Sequence, residues 1–302
     1  MSYVCFDVGG TNIKYALVNE GLIVEKGSAA TIHSSTEEFV QFLVHIIKKF
    51  EQNHRLQGIG LSVPGTVEKG TGYFITAGAV KHLYGKNLKE LLAETFSYPI
   101  YVENDAKCAL MAEMTSGKAK GLQDVVLVTI GTGIGGAIAY DGKMLYGKTY
   151  QAGEFGMMRM DIKSRPDDTM HELVSTAALI KRYKDKKQIE ASVLVDAQDI
   201  MAEQSSNAET AQIVEEWISD LAFALFNVIV CYTPEKLIVG GGISADPTLL
   251  PRVREKLKEN PHWVDFETEI ETAAFKNDAG IIGAYGFLKE NIDPKTAAER
   301  II

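Results

Sequence analysis

Apolar positions along the chain recur with two periods, and the alternation between them predicts strands and helices in mixed order. An unbroken apolar run over 3–6 reads as a buried strand. Beyond a glycine pair, Ile13, Tyr15 and Leu17 alternate with Lys14, Ala16 and Val18 at strand period, so no helix follows the turn. Asn19-Glu20-Gly21 is a hairpin turn, and 22–26 is the return strand. Over 36–52 the period becomes helical, with Phe39, Phe42, Leu43, Ile46, Ile47 and Phe50 on one face. Thr36 is placed to cap this helix, and Glu37 and Glu38 suit its first turn. Strands follow over 58–63 and 99–103, a hairpin over 67–75 with Gly70 and Gly72, and helices over 87–96 and 106–115. A strand over 125–129 runs into a second glycine turn and hairpin, and 163–168 is polar and irregular. Helices are expected over 172–184, 208–232, 247–259 and 279–290, with a strand over 236–239 among them. Ile213, Trp217, Leu221, Leu225 and Val228 share one side of the 208–232 helix, which suits a core or a dimer interface.

The first glycine turn is Asp7-Val8-Gly9-Gly10-Thr11-Asn12-Ile13-Lys14. Glycines let the backbone turn sharply, and successive amides in such a turn form a concavity that can hold phosphate oxygens. A dinucleotide fingerprint needs a helix after its glycines, and a Walker P-loop needs Gly-Lys-Ser/Thr; neither is present. Taken alone, the glycine pair also fits an ordinary hairpin turn. The segment Ile130-Gly131-Thr132-Gly133-Ile134-Gly135-Gly136-Ala137 repeats the pattern. At a constant offset of 121 residues (131 minus 10), Gly10 meets Gly131, Thr11 meets Thr132, Ile13 meets Ile134, Ala16 meets Ala137 and Gly21 meets Gly142. Such a repeat implies two related domains. A third turn, Val239-Gly240-Gly241-Gly242-Ile243-Ser244, follows the apolar run over 236–239.

These three segments resemble the phosphate 1, phosphate 2 and adenosine motifs of the superfamily that joins sugar kinases, actin and heat-shock chaperones. Val63-Pro64-Gly65, Glu103-Asn104-Asp105-Ala106 and Gly153-Glu154-Phe155-Gly156 stand in the order of its ROK family (repressors, open reading frames, kinases), and the resemblance runs from Tyr3 to about Phe287. It implies an α/β fold of two actin-like (ribonuclease H-like) domains with a ligand cleft between them. The small domain would take 1–106 plus 286–302 and the large one 107–285. It implies an ATP-dependent sugar kinase that moves the γ-phosphoryl group to a hydroxyl, O6, of a hexose, an N-acylhexosamine or a β-glucoside. The substrate within that set stays open.

Composition changes this picture little. At 302 residues, 46% hydrophobic and 24% charged, the chain suits a globular protein of two domains. A net charge of −9 argues against a non-specific nucleic-acid surface. Cys5, Cys108 and Cys231 are too scattered for a disulfide framework or a zinc site, which fits a reducing cytoplasm. No signal peptide and no run able to span a bilayer is seen.

Asp105 can be read from the residues alone either as a helix cap or as a general base at a strand end. The resemblance implies the base, taking the proton of the attacking sugar hydroxyl. Asn104, Glu154 and, more remotely, Glu172 are implied sugar ligands, with Gly65 and Gly78 on the same side. The stretch Gly78-Ala79-Val80-Lys81-His82-Leu83-Tyr84 faces the implied sugar pocket. Gly9, Gly10, Thr11, Asn12 and Lys14 would meet one end of the ATP phosphates, Thr132 and Gly133 another, and Gly241 and Gly242 the adenine. Asp7 would hold Mg²⁺, directly or through water, since this cation prefers carboxylate and phosphate oxygens and keeps much of its hydration shell.

The chain departs from the family pattern in one place. Many members carry a His after Gly-Glu-x-Gly and then a Cys-rich zinc loop; here that position is Met157, and no cysteine occurs between Cys108 and Cys231. No structural zinc is expected. His171 stands where the loop would end and is expected at the surface or on the sugar side. A sugar-responsive regulator would need a helix-turn-helix domain, and only six residues precede Asp7. An actin-like or chaperone ATPase would leave Asp105 without a task, and a catalytically weak sugar sensor is the remaining alternative. A cytoplasmic homodimer is expected.

Overall fold

The computed structural model describes residues 1–160 and 168–293. By its contacts the chain falls into two compact units. The first takes Met1–Gly121, Met144–Ala152 and the chain from Asn277; the second takes Leu122–Lys143 and Gly153–Lys276.

In the first unit β1 (Ser2–Val8), β2 (Asn12–Asn19), β3 (Leu22–Ala30), β4 (Leu56–Val63) and β5 (Ile100–Asn104) form one sheet in the order β3-β2-β1-β4-β5. The hairpin strands pair antiparallel, while β1, β4 and β5 run parallel, with helices on both faces. The period-2 pattern splits the core accordingly. Val4, Phe6, Val8, Ile13 and Leu17 meet Phe39, Leu43 and Ile47 of α1 (Thr36–Glu51) and Leu88 and Leu92 of α2 (Leu88–Ala93). Tyr3, Cys5, Ala16, Val18 and Tyr101 meet Cys108 and Met111 of α3 (Asp105–Ser116) and Ile281, Ala284 and Leu288 of α9 (Ala279–Ile292).

Glycines at every third position let α9 lie close. A Cβ at Gly283 would sit 1.8 Å from the Cys108 carbonyl oxygen on α3, and one at Gly280 would sit 2.1 Å from Asp7 Oδ1. Both α3 and α9 fall inside the first unit, so the contact units do not part at 106/107 or 285/286.

In the second unit β6 (Val125–Ile130), β7 (Ile134–Tyr140), β8 (Lys143–Met144), β9 (Lys236–Gly240) and β10 (Glu269–Thr272) belong to a sheet of order β10-β9-β6-β7-β8, whose last residue, Met144, already counts with the first unit. Its helices are α4 (Met170–Val174), α5 (Thr176–Lys187), α6 (Ala197–Glu203), α7 (Ala208–Tyr232) and α8 (Leu249–Lys258). The repeat read from sequence is a repeat of structure: Val8↔Ile13 closes the first glycine loop and Ile130↔Ile134 the second. The second loop is one residue shorter, so the offset of 121 holds for β2 and β7 but not for the strands before the loops.

Several expectations are corrected. Ser35, not Thr36, caps α1 by accepting from Glu38 N, and the Thr36 hydroxyl donates to His82 O instead. The helix expected over 172–184 is two helices, broken at Ser175, whose extended backbone ends α4 and whose Oγ accepts from Ala178 N to start α5. The hairpin over 67–75 is reduced to the isolated bridge Val67↔Phe74. The helix expected from 247 begins at Leu249, and α6 and β10 had no periodic signal long enough to read. The polar stretch 163–168 lies, apart from Asp168, outside the described residues, as do 294–302 of the expected small domain.

Candidate functional site

Register places one polar residue from each strand of the first sheet in a single row: Ser28, Lys14, Asp7, Ser62 and Glu103 on β3, β2, β1, β4 and β5. The row lies at the carboxyl ends of the parallel strands, where open α/β sheets present functional groups. At its centre Asp7 Oδ1 accepts from Ser62 Oγ at 2.9 Å, and Oδ2 faces Lys14 Nζ at 3.4 Å. Lys14 Nζ also donates to Asn277 O at 3.0 Å. The absent Cβ of Gly280 makes room for the Asp7 carboxylate.

Next to this row the glycine loop is tied from behind. Gly9 N donates to Asn12 O at 2.9 Å, Thr31 Oγ1 to Gly9 O at 2.7 Å, and Thr31 N to Thr11 O at 2.9 Å. Gly10, Thr11 and Asn12 remain exposed. Gly65 has φ +88° and Gly78 φ +50°, and their backbones pack so tightly that a Cβ at Gly65 would lie 2.5 Å from Thr76 O.

Asn104 turns out to be the cap of α3. Its Oδ1 accepts from Lys107 N at 3.1 Å, and its Nδ2 donates to Gly65 O and to Asp105 Oδ1, both at 3.0 Å. The neighbouring Asp105 is exposed, and its Oδ1 also accepts from Ala106 N at 2.8 Å. Asn104 thus joins the Gly65 turn to the Asp105 carboxylate and fixes the direction of the latter.

Glu103 ends the polar row and is 1% exposed. Tyr146 Oη donates to its Oε2 and Asn104 N to its Oε1, each at 2.8 Å. Burial pushes its carboxyl above the ordinary carboxylate range, against the pull of these donors and of Lys107 and Lys69. A raised folded-state pKa means the folded chain binds the proton more tightly, so between the ordinary and the raised value stability falls as pH rises. Tyr146→Phe removes a donor from the buried carboxylate and should cost about 1–3 kcal/mol at pH 8. The loss should be smaller at a lower pH where the acid is protonated, since the protonated acid needs the donor less. Urea melts at the two pH values check this, and equal losses would disconnect Tyr146 from Glu103.

In the second unit Thr132 is exposed at the tip of the loop closed by Gly131 N→Gly133 O at 2.9 Å. His171 is half-buried against this loop: Ile134 N donates to its Nδ1 at 3.1 Å. Glu154 begins the short turn Phe155–Met157, and among the described residues no hydrogen bond or ion pair engages its carboxylate. Glu172 differs. Thr169 Oγ1 and Thr169 N both donate to its carboxylate in a capping box for α4, and the Thr169 hydroxyl holds its pKa below the usual range. Met157 is 66% exposed.

Gly241, at φ +92°, lies so close to β6 that a Cβ would stand 2.1 Å from Ile130 O, whereas a Cβ at Gly242 would meet nothing within 4 Å. Gly242 borders a cavity of about 310 Å³ with Gly131, Thr176, Ile180, Asp196 and Gln198 among its walls. That is the lower end of the size usual for small-molecule sites, roughly 300–1,000 Å³. Its far wall comes from α5 and the α6 start, which no sequence motif marks. Ser62, Gly280 and Tyr146 were also missed; the lone Ser of an apolar strand and the three-residue glycine spacing of 280, 283 and 286 were the available signals.

Among the described residues no group of three or more His, Cys, Asp or Glu could hold a metal ion. Asp7 offers a single carboxylate backed by Ser62, which fits Mg²⁺, a cation bound through one or two carboxylates, substrate phosphates and retained waters. No described helix is long and apolar enough to cross a membrane.

The profile of the ROK family matches residues 3–291. A β-glucoside kinase of Listeria innocua is 34% identical over 301 residues, covering 96% of this chain and 98% of that protein. A glucokinase of Halalkalibacterium halodurans is 31% identical over 315 residues, covering 95% of each. Among solved structures, a ROK family protein of Streptococcus pneumoniae in complex with sucrose superposes with a TM-score of 0.87 at 26% identity, over 97% of this chain and all of that one.

Proposed function

The chain belongs to the ROK family, and on that ground we propose that it transfers the γ-phosphoryl group of ATP to the 6-hydroxyl of a β-glucoside. It is an ATP-dependent sugar kinase with the mixed α/β fold of that family. The observation that carries the assignment of the base is the division of labour at the start of α3: Asn104 supplies the cap, so the exposed Asp105 carboxylate is not needed for it.

Asp105 accepts the proton of O6 as that oxygen attacks the γ-phosphorus. The O6–phosphorus bond forms, the bond to the bridging oxygen breaks, and ADP leaves with the electron pair. Asn104, Gly65 and Gly78 bind the sugar beside the base. Glu154, with its carboxylate unengaged among the described residues, can accept two sugar hydroxyls at once, while Glu172 has first to satisfy its cap. Gly9, Gly10, Thr11, Asn12 and Lys14 bind β- and γ-phosphate, and Thr132 and Gly133 bind further phosphate oxygens. Gly241 and Gly242 lie along the adenine in the cavity of about 310 Å³. Mg²⁺, held by Asp7 directly or through water, neutralises phosphate charge when bound. Catalysis rests on positioning and charge stabilisation. The protein works in the cytoplasm as a homodimer, for which Phe223 and Val230 on α7 offer exposed apolar surface.

The β-glucoside rests on the Listeria relative, and an ADP-release assay tests it against glucose, N-acetylmannosamine, N-acetylglucosamine, fructose and cellobiose. The expected result is the highest kcat/KM on cellobiose. A higher value on glucose would overturn the substrate, and no ADP release with any sugar would turn the reading to a sugar sensor.

A further inference from the structure

His171 sits where three pieces of the second unit meet. Its Nδ1 accepts from Ile134 N at 3.1 Å, at the exit of the Gly131–Gly133 loop. Its ring fills the space that a side chain at Gly133 would need, since a Cβ there would fall 1.9 Å from His171 Cε1. A Cβ at Gly156, in the turn after Glu154, would fall 3.0 Å from its Nδ1 and 2.5 Å from Ile134 O. His171 itself is on α4, one residue before Glu172. Two backbone bonds brace the same junction: Thr176 N donates to Gly131 O at 2.9 Å, and Met170 N to Met158 O at 2.7 Å.

We propose that His171 is a positioning residue, whose neutral imidazole holds the Thr132–Gly133 phosphate loop at a set distance from the turn bearing Glu154 and the helix bearing Glu172. The proposal rests on the kinase reading above and adds a coupling between its nucleotide and sugar ligands. To accept from Ile134, Nδ1 must be unprotonated, so the ring's proton is on Nε2. A side chain that merely filled space would need no acceptor at this atom. The bond is local, but both ligand sets hang on the segments it joins. Losing it should therefore weaken ATP and sugar together, by about threefold to tenfold each, the equivalent of one neutral hydrogen bond.

Three variants separate acceptor from bulk. Asn places its oxygen near the position of His Nδ1, Gln places its own near that of Nε2, and Ala has neither. Two measurements are made on each: amide hydrogen exchange at Ile134 without ligand, and calorimetric affinity for the non-hydrolysable ATP analogue AMPPNP with Mg²⁺ and for cellobiose. The expected result is faster exchange and weaker binding of both ligands in His171→Ala and His171→Gln, with His171→Asn close to wild type in both. Unchanged exchange in His171→Ala, or His171→Asn no better than His171→Gln, would overturn the clamp. Faster exchange with both affinities unchanged would overturn the coupling. Wild-type protein that binds neither ligand while Ile134 stays protected would overturn the kinase reading and the coupling with it, leaving the clamp to be judged on exchange alone.

Discussion

Asp105→Asn should lower kcat by about 10²–10⁴, the usual contribution of a general base, and leave the protein folded with nucleotide affinity little changed. The substitution keeps two hydrogen bonds at this position. The bonds from Ala106 N and Asn104 Nδ2 both end on Asp105 Oδ1, and an amide oxygen can accept them as a carboxylate does. The cap of α3 is Asn104, so it survives. What goes is the negative charge in the first helical turn, typically worth about 0.3–1 kcal/mol, and the ability to take a proton. Asn104→Ala is the complementary variant. It removes the cap bond to Lys107 N and should cost about 0.5–2 kcal/mol of stability. Steady-state kinetics with urea melts on the two variants check the assignment. Near wild-type kcat in folded Asp105→Asn would refute the base.

Gly283→Ala should destabilise the protein, although helix propensity alone favours Ala over Gly by about 1 kcal/mol in a helix interior. The new methyl would stand 1.8 Å from the Cys108 carbonyl oxygen and 2.3 Å from its carbon. Both atoms belong to the backbone of a neighbouring helix, so no rotamer change relieves the clash, and α3 and α9 must move apart. Overpacking of this kind costs about 1–3 kcal/mol and sometimes more, which exceeds the propensity gain. The displacement also falls on the helix that begins with Asp105, so kcat should drop along with the urea midpoint. A midpoint equal to or above wild type would show that the two helices are not in this contact.

Glu103, Asn104 and Asp105 show how far reading along the chain can go. Their order marks a strand end and a helix start, and an acidic residue beside a helix N-terminus reads as a cap or as a reagent. Nothing local decides between the two, since Asp and Asn cap about equally well. The structure shows which residue caps: the Asn104 Nδ2–Gly65 O bond spans 39 residues and turns the Asn104 amide so that its oxygen meets Lys107 N. Glu103 reads as one more charge of a motif, yet its burial under Tyr146 makes it a structural group with a shifted proton affinity.

The sequence by itself determined the alternation of strands and helices, the two glycine hairpins and the third glycine turn. Period, turn chemistry and helix length are set by backbone sterics within a few residues, which is why α7 matches its expected bounds over Ala208–Tyr232. Only the tertiary structure decided which side chains share a site. The polar row through Lys14, Asp7 and Ser62 follows from strand register, and Asp7 and Ser62 are 55 residues apart. His171 reached Ile134 across 37 residues, and read alone it fitted either the surface or the sugar side. Such pairings depend on how sheets and helices stack, and stacking depends on burial summed over the whole unit, which no local pattern encodes.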